Sequence, residues 1–158
     1  MSSESPFQPA PHRGKAEHPE SRMTSCEWDT MACKRILLVE DEAITGMDIR
    51  EMVMGLGYEP HGPVASGKDA VAAALVLRPD LILMDIMLKG PMTGLQAAAA
   101  IQSHYRCPVI YLTGSSDQAG ADLPNLTEPA GLVLKPIDEE ELRMAIEKAL
   151  NRCEHEEP

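Results

Sequence analysis

Positive charge is in short supply in this chain. Its 14 Lys and Arg stand against 25 Asp and Glu, a formal net charge of −11 and a sequence pI near 4.8. A nucleic-acid surface needs Lys and Arg gathered on one face, so the composition argues against that class of partner. The four cysteines, Cys26, Cys33, Cys107 and Cys153, show no metal-ligand spacing, and free thiols in a reducing cytoplasm are expected. No apolar run approaches a membrane span and the N-terminus has no apolar signal core, so the expectation is a soluble, cytoplasmic protein. Neither a Walker-type nor a dinucleotide glycine loop follows the first apolar run, which speaks against a nucleotide-binding module. With 158 residues there is room for one domain with a sizeable core and too little for two ordinary ones.

Residues 1–33 carry Ser, Pro, Glu and His with almost no large apolar side chains, so they cannot bury enough surface to offset the entropy of ordering. A disordered arm is expected there, and translation starting at Met23 or Met31 would remove much of it. Ile36 to Val39 is a short aliphatic run ending in Glu40-Asp41-Glu42. Apolar residues at Ile44, Met47, Ile49, Met52, Val53 and Leu56 then predict a helix closed by Gly55 and Gly57. Tyr58 to Val64 is a weak strand broken by prolines and glycine. Ser66 is placed to cap a helix over Gly67 to Leu77. Leu81 to Leu88 is apolar except for Asp85 and reads as a strand covered on both faces. A loop from Lys89 to Gly94 leads to a helix over Leu95 to His104. Pro108 to Thr113 is a fourth strand, while Pro124 and two glycines make any helix in 115–128 short or irregular. Gly131 to Leu134 is a fifth strand, and Asp138 caps a final amphipathic helix to about Asn151. Strands alternating with helices five times over predict an α/β fold, a parallel sheet wound on both faces.

The chemistry lies where the strands end. The first ends in Glu40-Asp41, the third in Asp85, the fourth in Thr113 and the fifth in Lys135. In a parallel sheet these ends share one edge and converge on one crevice. Nothing about packing asks for an acid at Asp85, and a carboxylate in such surroundings needs a cation or strong donors. Carboxylates gathered there repel by on the order of 4 kcal/mol per pair at ~4 Å and an effective dielectric of 20. Lys135 supplies one positive charge, and a hard divalent cation bound by oxygens would supply the rest. Magnesium fits, because it takes few carboxylates and completes its octahedron with water and phosphate oxygens. The implied reaction is phosphoryl transfer to Asp85. Asp41, with Glu40, then holds the metal together with Asp85 and the main-chain carbonyl of Met87. Thr113 donates to a phosphoryl oxygen, Lys135 pairs with another, and Gly114 leaves space for the group.

These segments resemble the signatures of the two-component response regulator receiver domain: Ile36 to Glu42, Leu81 to Leu88 around Asp85, Pro108 to Gly114 around Thr113, and Leu134-Lys135-Pro136. Each is weak alone; four in this order at these separations are specific. The resemblance covers about residues 34–152, leaving 153–158 as a short tail. It implies a five-stranded, flavodoxin-like sheet in the order 2-1-3-4-5. It also implies phosphorylation by a histidine kinase or a histidine phosphotransfer protein, followed by autocatalytic dephosphorylation. Family members usually carry an aromatic residue three positions before the lysine, where this chain has Leu132. The usual relay from threonine to aromatic is thereby in question, and Tyr111, two residues before Thr113, is an alternative participant, though a core role suits it as well. Met87 and Ser115 flank the place where the family tunes the lifetime of the phosphoryl group.

With so short a tail, no DNA-binding or enzymatic output domain is expected. The expectation is a stand-alone receiver that signals by contact with an unidentified target protein and is no enzyme beyond handling its own phosphoryl group. Two other classes remain. A haloacid dehalogenase-like phosphatase would need a second acid two residues after Asp85, where Met87 stands. A receiver-shaped adaptor working without phosphorylation would have no use for the full set of acids, threonine and lysine.

Overall fold

The computed structural model describes residues 33–114 and 129–156. The expected N-terminal arm, the segment 115–128 with its Pro124 and Ser115, and the last two residues lie outside them. Along the described chain run β1 (Arg35–Val39), α1 (Ala43–Gly55), β2 (Glu59–Val64), α2 (Gly67–Leu77), β3 (Leu81–Asp85), α3 (Gly94–Gln102), β4 (Val109–Thr113), β5 (Pro129–Leu134) and α4 (Glu139–Glu156). The strands form one sheet in the order β2-β1-β3-β4-β5, every pair parallel.

Alternation along each strand divides the interior in two. Leu37, Val39, Ile82, Met84 and Tyr111 face one side, where Ala70 and Ala74 of α2 and Ala97, Ala98 and Ile101 of α3 cover them. Ile36, Leu38, Leu81, Leu83, Ile110 and Leu112 face the other, against Ile49 and Val53 of α1 and Leu142 and Ile146 of α4. Both faces are apolar, so β1, β3 and β4 read as unbroken hydrophobic runs. Each buried aliphatic side chain contributes about 1.5–3 kcal/mol, and truncating Leu83 to Ala would cost roughly 2–5 kcal/mol. Tyr111 is wholly buried and pairs in register with Leu132, which packs against the same cluster.

Local chemistry sets the element ends. Ser66 caps α2 by accepting from Asp69 N at 3.1 Å. The helix closes on Arg78, a left-handed residue at φ 52°. Asp138 Oδ2 accepts from Glu141 N at 3.0 Å at the start of α4.

Several boundaries differ from the sequence reading, most by a single residue, and α3 ends at Gln102, two residues short of the expected His104. β3 stops at Asp85 because Met87 N donates to Asp85 Oδ1 at 2.9 Å, a side-chain turn that diverts the backbone. Ile86 and Leu88 stay buried but lie off the strand. α3 begins at Gly94, one residue early, because Thr93 and Gln96 form a capping box. β5 begins at Pro129, two residues before Gly131. α4 runs through Glu156 instead of ending near Asn151, since no glycine or proline interrupts it before Pro158. On α1 the buried positions are Gly46, Ile49 and Val53, whereas Ile44 and Met47 point to solvent.

Candidate functional site

The carboxyl ends of β1 and β3 are adjacent in the sheet, with Val39 opposite Met84. The residues that follow, Glu40 and Asp85, therefore sit side by side and are buried, 2% and 3% exposed. Asp41 joins them: one carboxylate oxygen from each of the three acids lies within 4.8 Å of the others. Lys135 arrives from the end of β5, its main-chain N donating to Thr113 O at 2.7 Å. Its ammonium stands 2.7 Å from Glu40 Oε1 and 3.1 Å from Asp85 Oδ2.

Each acid also takes a main-chain donor. Glu42 N donates to Glu40 Oε2 at 3.2 Å, Met87 N to Asp85 Oδ1 at 2.9 Å, and Lys89 N to Asp41 Oδ2 at 3.1 Å. Burial pushes the Glu40 carboxyl above the usual range, with the Asp85 charge adding to the rise and the Lys135 ammonium opposing it. Burial works against the charge on Lys135, yet the Glu40 hydrogen bond and the Asp85 charge outweigh it and raise its pKa. Three crowded acids facing an ammonium form an incomplete charge balance. A donor set made wholly of hard carboxylate oxygens suits a divalent cation such as magnesium.

Thr113 ends β4 fully buried. Gly114 is exposed, and a Cβ there would meet nothing within 4 Å among the described residues, which leaves room beside Thr113. Met87 reaches the acids through its N–H, while its side chain is 57% exposed at the mouth of the crevice. The structure thus brings Glu40, Asp41, Asp85 and Lys135 into contact range and sets Thr113, Gly114 and Met87 at the same edge.

Residues 36–147 of the chain match the family model of the response regulator receiver domain. This chain belongs to that family. A receiver of this kind has relatives among whole regulators: the transcriptional regulatory protein PdtaR of Mycobacterium tuberculosis is 35% identical over 127 residues, 78% of this chain and 60% of that protein. The chain thus spans about 60% of that relative's length. Among solved structures, the signal receiver domain of a modulated diguanylate cyclase from Desulfovibrio desulfuricans superposes with a TM-score of 0.71 at 31% identity, covering 79% of this chain and 99% of that one. The receiver domain of sensor histidine kinase PA1611 from Pseudomonas aeruginosa, with a magnesium ion coordinated in its active site cleft, gives a TM-score of 0.68 at 31% identity over 75% of this chain and 98% of that one. The expected strand order 2-1-3-4-5 is the one observed.

Sequence reasoning passed over the main-chain donors, Lys89 N above all. A backbone N–H carries no residue-type signature, and its cue lies only in the turn glycine and proline beside it, Gly90 and Pro91. Neither Cys33 nor Cys107 forms a disulfide among the described residues, and the Cys107 thiol donates to Pro79 O at 3.6 Å. Among the described residues no helix is long and apolar enough to cross a membrane.

Proposed function

We propose that this receiver accepts a phosphoryl group on Asp85 from the phosphohistidine of a histidine kinase or phosphotransfer protein in the cytoplasm, and passes the signal on by protein contact. The observation carrying this reading is Lys135 Nζ lying 2.7 Å from Glu40 and 3.1 Å from Asp85. Those contacts combine a nucleophile, acids suited to a metal and a cation for phosphoryl oxygens in one crevice. Glu40, Asp41 and Asp85, with the Met87 carbonyl, would hold magnesium. Bound there, the ion would neutralise charge on the transferring group.

In the transfer the bond from phosphorus to the imidazole nitrogen breaks as one to an Asp85 carboxylate oxygen forms, and the imidazole, already protonated on its other ring nitrogen, leaves neutral with its partner. The Lys135 ammonium and the Thr113 hydroxyl receive phosphoryl oxygens, and the open space at Gly114 admits the group. Attack of water on phosphorus later restores the carboxylate and releases inorganic phosphate. The chain handles its own phosphoryl group and no other substrate. A phosphatase acting on external substrates is disfavoured by Met87, whose thioether cannot protonate a leaving group.

Incubation with magnesium and acetyl phosphate, followed by intact mass, tests the reading. One base-labile phosphoryl group is expected, absent in Asp85→Asn. Turnover of phosphomonoesters would favour the hydrolase, and no reaction of either kind would leave an adaptor.

A further inference from the structure

The three acids are not held in the same way. Glu40 and Asp85 each take an N–H from two residues further on, Glu42 and Met87, and each also faces the Lys135 ammonium. Asp41 instead takes its N–H from Lys89, 48 residues away on the loop between β3 and α3. That loop is fixed on both sides of the donor. Ahead of it, Leu88 is buried, 6% exposed, and Ile86 N donates to Leu112 O at 3.0 Å. Behind it, Gly90 has φ +102°, a backbone conformation that side-chain-bearing residues rarely adopt. Further on, Gly94 N donates to Ile86 O at 3.3 Å and closes the loop. A buried leucine and a left-handed glycine thus bracket the N–H that reaches Asp41.

We infer that the Lys89–Gly90 turn is a positioning element for Asp41. It sets the carboxylate in the orientation that completes the metal-binding group, and so ties metal affinity to the loop that follows the phosphoacceptor. This rests on the reading of the site as a metal-dependent phosphoacceptor. Partners that orient ligating side chains are worth about 10- to 100-fold in metal affinity, and this bond is solvent-exposed, so the lower end applies.

Gly90 allows a clean test because a Cβ there meets nothing within 4 Å among the described residues, so the strain of a substitution falls on the left-handed backbone. Gly57 is a matched control, with φ +98° and nothing within 4 Å, in the turn between α1 and β2. Magnesium would be titrated calorimetrically into the full chain and its variants, with folding checked by thermal melts. Gly90→Val should weaken magnesium binding about tenfold. Gly90→Asn, which tolerates positive φ better, should recover most of the loss, and Gly57→Val should lower stability while leaving affinity unchanged. Gly90→Ala is the milder substitute if Gly90→Val does not fold. A second readout needs no metal: the Lys89 amide should exchange slowly with solvent in the wild type and faster in Asp41→Ala and Gly90→Val.

Wild-type affinity in a folded Gly90→Val, or an equal loss in Gly57→Val, overturns the inference. An unprotected Lys89 amide in the wild type does the same. Failure of the wild type itself to bind magnesium overturns the metal-site reading beneath it, which separates the two claims.

Discussion

The two edges of the sheet both carry charge, and they handle it differently. At the amino edge each charged side chain meets a peptide group or an aromatic ring. Arg35 N donates to Asp80 Oδ2 at 2.7 Å while Asp80 N returns a bond to Arg35 O at 2.8 Å. The Arg35 guanidinium donates to Arg78 O at 3.0 Å, and that of Arg78 lies 4.5 Å from the Tyr105 ring centroid. At the carboxyl edge three acids crowd within 4.8 Å and face Lys135. The first arrangement gives each charge a neutral partner; the second crowds like charges, a repulsion that an added cation relieves. Charge at a strand end is thus no guide to function until its balance is known.

Removing the cation should have the largest effect. Lys135→Met leaves the acids without their ammonium, so phosphorylation by acetyl phosphate should fall on the order of 100-fold. The metal-free melt should report a loss of about 2 kcal/mol, below the full cost of breaking a buried pair because the lysine is partly exposed. A Lys135→Met protein as stable as the wild type would erase the contrast between the edges.

Relieving the repulsion should act in the opposite direction. Asp41→Asn should raise metal-free stability by about 1 kcal/mol and abolish the stabilisation that magnesium gives the wild type, both read from melts with and without the ion.

At the amino edge, Asp80→Ala removes the acceptor for Arg35 N. It should cost about 1–2 kcal/mol in denaturant melts and leave magnesium affinity unchanged. A change in affinity would mean that the edges communicate.

The smallest effect concerns pH. Burial raises the pKa of Tyr105 at the amino edge and of Tyr58, while Lys135 is raised at the carboxyl edge by its acid partners against the cost of burial. All three bind their protons more tightly when folded. Their contribution is therefore complete below the unfolded-state values and is lost as pH climbs through the folded ones. Stability should decline shallowly above about pH 10, and Tyr105→Phe should remove the amino-edge share.

Much of this was legible from residues alone, for reasons that particular positions make plain. β1, β3 and β4 are buried on both faces, so Ile36 to Val39, Leu81 to Met84 and Val109 to Leu112 announce themselves as apolar runs. Asp85, Glu40-Asp41 and Lys135 stand out as charges ending such runs. The end of β3 was hidden because Ile86 and Leu88 are as buried as strand residues, although a side-chain turn has already diverted the backbone. The outer face of α1 was misread because Ile44 and Met47, 77% and 50% exposed, follow the same helical spacing as the residues that pack. The hold on Asp41 was invisible because its donor is a peptide group, the same in every residue but proline.

One contact shapes how a modified Asp85 would be felt elsewhere. At Gly94, the first residue of α3, any side chain would collide with the main-chain oxygen of Asp85. Backbone rests on backbone there, with no deformable side chain between them to act as a cushion. The strand tip and the helix end therefore have no slack between them, and neither can approach the other without the backbone giving way.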